Sequence, residues 1–261
     1  MKLHRIFGIT LRYLYAFRHS WDRLSDVFYW PAMDLFLWGL TSTYIRLYAP
    51  HASNIVLMIV SGLLFWLIIW RAQYEITVNM LEEFWNKNLV NIFVSPLKFS
   101  EWVTSFIVIG IIKGSISFGF AATLAFFLYR MGIFVYGWYL LPFFLLLFMS
   151  GWAVGFFVAG IIIQYGTKIQ TLAWAVVAVI APFSGIYYPL SILPKWAQFI
   201  SKFIPTSYIF EGGREALATG HVNPVKLYMS FGLNSLYIVL ALIFLRYSFK
   251  KVFRKGLASV I

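Results

Sequence analysis

Long apolar runs recur along nearly the whole chain and constrain its fold more than any other feature. Six runs of about 20 mostly apolar residues lie at 27–48, 55–74, 102–129, 139–163, 170–188 and 227–246. Inside a membrane the backbone polar groups must bond within the segment, which favours helices. With 61% hydrophobic and only 11% charged residues, the chain cannot cover itself with polar surface. The sequence therefore predicts an all-α membrane protein with six transmembrane helices in one domain, 1–261.

The distribution of lysine and arginine predicts how the chain is oriented. An even number of spans places both termini on one side of the membrane. If that side is the cytoplasm, the inner segments hold 14 Lys and Arg residues and the outer segments hold six. Cytoplasmic segments carry the excess of basic residues. We therefore expect a multi-pass protein with cytoplasmic N and C termini, in the inner (plasma) membrane of a prokaryotic cell.

Residues 1–26 combine apolar residues at helical spacing with basic residues on the other faces. Arg12, Arg18 and Arg23 interrupt any apolar core of a signal peptide, and no small-residue cleavage site follows. The pattern predicts a helix lying in the membrane interface. An ordinary basic tail beside the first span is the alternative.

Composition excludes several functions. There is no cysteine, no His-Glu-x-x-His pair and no Gly-x-Ser-x-Gly turn, and the nine acidic residues are mostly isolated. We therefore expect neither a metal site nor a catalytic site. No Gly-x-x-x-x-Gly-Lys-Ser/Thr loop is present to hold the phosphates of ATP. The net charge of +12 comes from basic residues beside the spans, which favours lipid headgroups as partners and no nucleic acid.

The segment 75–101, between the second and third predicted spans, is too long for a plain turn. Its apolar residues from Met80 to Phe93 approximate a helical stripe, and Pro96 ends the pattern. These residues predict a short amphipathic helix exposed to the cytoplasm. Phe84 and Trp85 lie among charges, as aromatic anchors do at protein interfaces. A docking surface and a passive connection both fit this pattern.

The segment 188–226, between the fifth and sixth predicted spans, is apolar but interrupted by Pro189, Pro194 and Pro205. Broken backbone at membrane depth is tolerated where protein or a cavity surrounds it. The segment therefore predicts short helices that enter the outer leaflet and return. Such an element could be a gate or a passive lid.

Two charged residues lie inside predicted spans. Asp34 is near the start of the first span and Lys113 is near the middle of the third. A central ionised group costs about 2.5–3.5 kcal/mol on insertion scales, so neither should face lipid. They either line a substrate path, pair with each other, or are bonded within the fold. Gly151 and Gly155 have the spacing that lets helices approach closely, within one subunit or between subunits.

At its two long connections the chain resembles the type-2 ATP-binding-cassette (ABC) permeases, which include O-antigen, teichoic-acid and drug exporters. The cytoplasmic stretch Asn88-Leu-Val-Asn-Ile-Phe-Val-Ser-Pro-Leu97 is similar to the coupling-helix segment of that family. Gly185-Ile-Tyr-Tyr-Pro189, followed by Leu193-Pro194, Pro205 and Arg214, resembles its outer re-entrant segment. The chain departs from the family at Trp85-Asn-Lys-Asn88, where many members have a basic turn with Gly-Thr.

The resemblance implies a permease subunit of an ATP-driven exporter for an amphipathic substrate such as a lipid-linked glycan, a lipid or a drug. A separate ATPase subunit would bind ATP and Mg²⁺, and a second permease copy, in a homodimer rather than a heterodimer, would complete the path. Docking to the ATPase is assigned to Glu82, Glu83, Phe84, Trp85, Asn86, Lys87, Asn88 and Leu89. The outer gate is assigned to Tyr187, Tyr188, Pro189, Leu193 and Pro194.

Two other functions remain open from the residues alone. An ATP-independent channel or carrier often shows internal repeats and several charges in its spans, and no repeat is visible here. A membrane-embedded transferase would need acid and base groups in one place, which the scattered carboxylates do not indicate.

Overall fold

In the computed structural model, which describes residues 1–48 and 55–255, the chain forms ten α-helices and no strand. The α-helices are α1 Leu3–Arg18, α2 Trp21–Tyr48, α3 Ile55–Trp85, α4 Leu89–Val94, α5 Phe99–Tyr129, α6 Leu140–Tyr165, α7 Leu172–Ser184, α8 Lys195–Ser201, α9 Pro205–Thr219 and α10 Pro224–Lys255. Three short 3-10 helices, Ile133–Tyr139, Gly166–Ile169 and Leu190–Ile192, join some of them. The predicted outer loop at 49–54 and the C-terminal end from 256 lie outside the described residues.

Helix α3 is the centre of the fold. It packs against α2, α5 and α6, and α10 packs against the far side of α6. Its apolar residues lie on all sides of the helix, as expected of a helix surrounded by others. One buried cluster surrounds its first half, and a second surrounds its second half, from Ile76 to Phe84.

Small residues allow α3 and α6 to approach closely. A Cβ atom at Gly151 would lie 2.5 Å from the Cβ of Ala72, and one at Gly155 would lie 2.9 Å from the Cδ1 of Ile76. The two glycines are therefore used for packing within one chain, as small residues are between membrane helices.

Four helical segments in the described residues are long and apolar enough to cross a membrane: Ile55–Trp85, Phe99–Tyr129, Ile133–Ile169 and Pro224–Val252. They contain the second, third, fourth and sixth predicted spans. The first predicted span lies in α2, which is long enough but less apolar, because Trp, Tyr, Ser, Thr and Pro residues occur within it. The fifth corresponds to α7, whose 13 residues reach about 20 Å against a hydrocarbon thickness of about 30 Å. The chain is thus a multi-pass membrane protein, and six spans remain a prediction.

The predicted interfacial segment 1–26 contains α1 and the first turn of α2. One side of α1 packs on α5 and buries Ile6, Tyr13 and Phe17. Leu3 and Phe7 remain exposed on another side. The helix therefore has one apolar side packed on protein and another that is available to lipid.

Candidate functional site

The cytoplasmic docking segment has a different structure from the one its sequence pattern predicts. Helix α3 continues without a break from the second span to Trp85. A turn follows, in which Lys87 adopts a φ of 52°, and α4 begins at Leu89. The prediction of a single short amphipathic helix in this segment is therefore wrong. The sequence pattern was misleading because the charge of Glu75 made the second span appear to end there. In the structure Glu75 is buried, and its carboxylate accepts a hydrogen bond from Lys113.

Three of the eight residues predicted to dock are exposed, and they form the tip of this segment. Trp85, Asn86 and Lys87 are exposed, whereas Glu83 and Phe84 are buried in the described chain. Leu89 is also buried. Of the eight residues predicted to dock, these three form the protruding surface, and the others hold it in place.

Glu83 fixes the tip to the N-terminal helix. Its Oε1 accepts hydrogen bonds from the Arg12 guanidinium and the Tyr13 hydroxyl, both at 2.9 Å, and its Oε2 accepts one from the Asn88 side chain at 2.6 Å. Burial, followed by the charge of Glu83, raises the pKa of Tyr13 well above its usual range, so the hydroxyl stays protonated and donates. Helix α1 and the turn after α3 therefore share one buried carboxylate.

Two further ion pairs hold the same end of the molecule. Glu82 lies 2.7 Å from the guanidinium of Arg23, at the start of α2. Glu101 on α5 accepts a 2.7 Å hydrogen bond from the backbone N–H of Lys2 and lies 3.6 Å from Arg5. Opposite charges thus join α1, α2, α3 and α5 at the end of the molecule that carries the tip.

Lys113 is bonded inside the fold. Its Nζ donates to Glu75 Oε2 at 2.6 Å, and both side chains are buried. Asn79 donates to the same Glu75 oxygen at 3.2 Å. The predicted alternative of a mutual pair between Asp34 and Lys113 is therefore wrong, because Lys113 is already paired.

Asp34 lines a large cleft between α2, α3 and α7. The cleft has a volume of about 540 Å³. Its walls carry the aromatic side chains Trp30, Trp66, Trp70, Tyr74, Trp174 and Tyr187. An ion pair lies in the same wall, where Arg71 donates to the carboxylate of Asp26 at 2.9 Å and also to its backbone carbonyl.

A second cleft of about 280 Å³ adjoins the first on the side nearer to Trp85. The two share Asp26, Trp30, Tyr74 and Trp174 as lining residues. Lys113, Glu82 and Trp85 line this second cleft. Residues predicted separately as pathway, docking and gate positions therefore line two adjoining clefts.

The predicted outer gate residues are dispersed. Tyr187 stacks on Trp38 of α2 with ring centroids 4.6 Å apart and lines the large cleft. The Tyr188 hydroxyl instead donates to the Pro182 carbonyl at 2.9 Å, and Pro194 precedes α8. Of the five, only Tyr187 lines either of the two clefts just described.

Arg214 supports the turn that carries Tyr187. Its guanidinium donates to the carbonyl of Gly185 at 2.6 Å and pairs with Glu211 at 2.9 Å. Gly185 has a φ of 71°, a conformation that glycine adopts readily. Glu211 also accepts the backbone N–H of Leu190 at 2.8 Å. Helix α9 thus holds the turn in position through Glu211 and Arg214.

Sequence reasoning missed several wall residues. Arg71 is one of the 14 basic residues of the predicted inner segments, and Asp26 directly precedes the first predicted span at 27–48. Trp66, Trp70 and Trp174 gave no signal that distinguished them from other membrane aromatics. A stripe of Trp66, Trp70 and Tyr74 at four-residue spacing on α3 could have indicated one shared face.

The fold and these clefts define a class, a helical multi-pass membrane protein in which the charged residues Asp34, Arg71 and Lys113, within predicted spans, line two adjoining clefts. No group of residues that could hold a metal ion occurs in the described ranges. The family described as ABC-2 type transporter matches residues 14–218, from α1 into α9. The chain belongs to this family of ABC transporter membrane proteins. No curated protein matches the chain.

Proposed function

We propose that the chain is the permease subunit of an ATP-driven exporter and that the two adjoining clefts are its cargo path. The observation that carries this proposal is their placement. The groove begins at Trp85 and Glu82, beside the exposed tip, and continues past Lys113 to Asp34 and Tyr187. A force applied at the tip therefore acts on the helix whose side chains form the wall.

Helix α3 is the mechanical link in this proposal. It carries the tip at one end, and Glu75, Arg71, Trp70 and Trp66 along the groove. Because the helix is continuous, displacement of Trp85 by an ATPase subunit also displaces these residues. The bonds from Glu83 to α1 carry the same motion to the N-terminal helix.

In the complete transporter, ATP and Mg²⁺ bind a separate ATPase subunit, which docks on the tip at Trp85 to Lys87. Two copies of this chain form a homodimer in the inner membrane of a prokaryotic cell, with six spans each and cytoplasmic termini. Tyr187 and the turn from Tyr188 to Pro194 close the outer end. The cargo is an amphipathic molecule, such as a lipid-linked glycan, a lipid or a drug.

Purification of the tagged chain from its native membrane in mild detergent tests this proposal. We expect a stoichiometric ATPase subunit in the mass spectrum and vanadate-sensitive ATP hydrolysis. A reproducibly solitary, intact chain without ATP hydrolysis would contradict it.

Variants at the tip locate the docking surface. The double variant Trp85→Ala and Lys87→Ala should lose both the ATPase subunit and transport. Trp138→Ala, which removes an aromatic ring that is 92% exposed in the 3-10 helix before α6, is the matched control and should retain both. Transport that survives loss of the tip would instead indicate an ATP-independent carrier.

A further inference from the structure

Asp34 differs from the other acidic residues of the chain. Seven of the nine lie within 3.6 Å of an Arg or Lys side chain. Of the remaining two, Asp22 is in the first turn of α2, where the helix N-terminus favours negative charge. Asp34 is near the middle of the same helix, and no cation pairs with it in the part of the chain that the structure describes.

The surroundings of Asp34 suit an organic cation. Four tryptophans and two tyrosines line the same cleft, and the faces of such rings attract positive charge. Asp34 itself is exposed and lines this cleft. A volume of about 540 Å³ is within the range that holds a drug-sized ligand.

The charge of the whole groove has the same sign as Asp34. Five carboxylates line the two clefts, on Asp22, Asp26, Asp34, Glu75 and Glu82. Three cations oppose them, on Arg23, Arg71 and Lys113, which leaves a formal charge of −2. The chain as a whole carries +12. The groove is therefore an acidic path through a basic protein.

Other cargoes fit these observations less well. A neutral sugar could stack on the same rings, but it would leave the charge of Asp34 uncompensated at membrane depth. A phosphate group would meet a net negative groove, and Arg71, the cation in the large cleft, already donates twice to Asp26. A cation with an apolar body satisfies both the carboxylate and the aromatic walls.

We infer that the large cleft binds cationic amphiphiles, with Asp34 as the counter-ion and the tryptophans around it as the wall. This inference rests on the proposed function in one respect, because it assumes that the cleft is the cargo path. Binding to the isolated chain requires no ATPase subunit. Its failure is therefore distinguishable from failure of the exporter proposal, which copurification and ATP hydrolysis test.

Binding of two ions of the same shape and opposite charge tests the inference. Tetraphenylphosphonium and tetraphenylborate are offered separately to the purified chain in nanodiscs of zwitterionic lipid, with empty nanodiscs as the blank. Bound ion is measured by equilibrium dialysis and by quenching of tryptophan fluorescence. We expect saturable binding of the phosphonium above the blank and none of the borate.

Three variants assign the binding to the cleft. Asp34→Asn should weaken phosphonium binding by about tenfold or more, whereas Asp34→Glu, which keeps the charge, should retain it. Glu215→Gln, which removes a carboxylate on α9 outside the cleft, should bind as the unmodified chain does. Size-exclusion chromatography checks that each variant is folded.

Several outcomes would overturn the inference. These are equal binding of both ions, phosphonium binding that Asp34→Asn leaves unchanged, and no saturable binding of either ion. Saturable binding of an uncharged alkyl glycoside, equally tight in Asp34→Asn and in the unmodified chain and without saturable phosphonium binding, would show that the cleft binds a sugar and not a cation.

Discussion

The end of the molecule that carries the tip and the large cleft use acidic residues in opposite ways. Near the tip, Glu82, Glu83 and Glu101 each meet an arginine from α1 or from the start of α2. In the cleft, Asp34 meets aromatic walls and open space. The paired carboxylates join helices, so their removal should loosen the structure. The unpaired carboxylate joins nothing in the described chain, so its removal should affect binding and spare the fold.

The largest loss of stability is expected where a buried pair is broken from one side. Lys113→Met leaves the carboxylate of Glu75 buried without a counter-ion, and we expect the free energy of unfolding to fall by about 3–5 kcal/mol. Unfolding by denaturant in mixed micelles measures it. The double variant with Glu75→Gln should recover most of the loss, because no buried charge remains. Lys87→Met, at the exposed tip, is the control and should change little.

A smaller loss of stability is expected at Glu83, which joins α1 to the tip. Glu83→Ala leaves the Tyr13 hydroxyl and the Asn88 amide without their acceptor, at a cost of about 1–3 kcal/mol. The partly exposed Glu82, with Arg23 as its ion partner, supplies the control. Glu82→Ala should cost less than about 1 kcal/mol. Equal losses from the two variants would show that Glu83 is not a special connection.

Asp26 and Asp34 both lie on α2, so an ion-paired carboxylate can be compared with an unpaired one within one helix. Asp26→Asn weakens the bond to the buried guanidinium of Arg71 and should lower stability. Asp34→Asn removes an unpaired charge at membrane depth and should raise stability by up to about 1 kcal/mol. Thermal unfolding of the two variants in the same detergent shows whether each substitution raises or lowers the unfolding temperature. A loss of stability from both would reveal a structural partner for Asp34.

Sequence reasoning predicted the helical class, and it singled out Lys113 and Asp34 because an apolar run makes a charge within it conspicuous. The family resemblance added three more residues that line the clefts, Glu82, Trp85 and Tyr187. Sequence reasoning could not predict the partners. Lys113 and Glu75 are 38 residues apart, and Arg12 and Glu83 are 71 apart. Periodicity shows which face of a helix is polar but not which other helix meets that face. Only the packing of the helices supplies that pairing.

The same limitation explains the error at the end of α3. The charges of Arg71, Glu75 and Glu82 suggested that the span ended near residue 74. In the structure each of these charges has an opposite partner on α2 or α5, and the helix continues to Trp85. Charges compensated by neighbouring helices do not end a helix. When the sequence is interpreted one segment at a time, such charges are expected to be solvent-exposed.

The smallest effect is expected between α9 and α10, where an ion pair is partly exposed. Glu215 accepts the backbone N–H of Asn223 and a bond from Lys226, both at 3.0 Å. These bonds, the backbone one first, hold the pKa of Glu215 below its usual range. Its contribution to stability is therefore present above the ordinary glutamate pKa of about 4.3 and is lost as pH falls through the lowered value.

Glu215→Gln should consequently lower the unfolding temperature slightly at pH 7, and the difference from the unmodified chain should shrink as the pH falls below about 4. Thermal unfolding at pH 7 and at progressively lower pH measures this change. The unmodified chain, unfolded at the same pH values, removes the general effect of acid. If the difference for Glu215→Gln instead grew on acidification, the bonds to Asn223 and Lys226 would not be what stabilises this carboxylate.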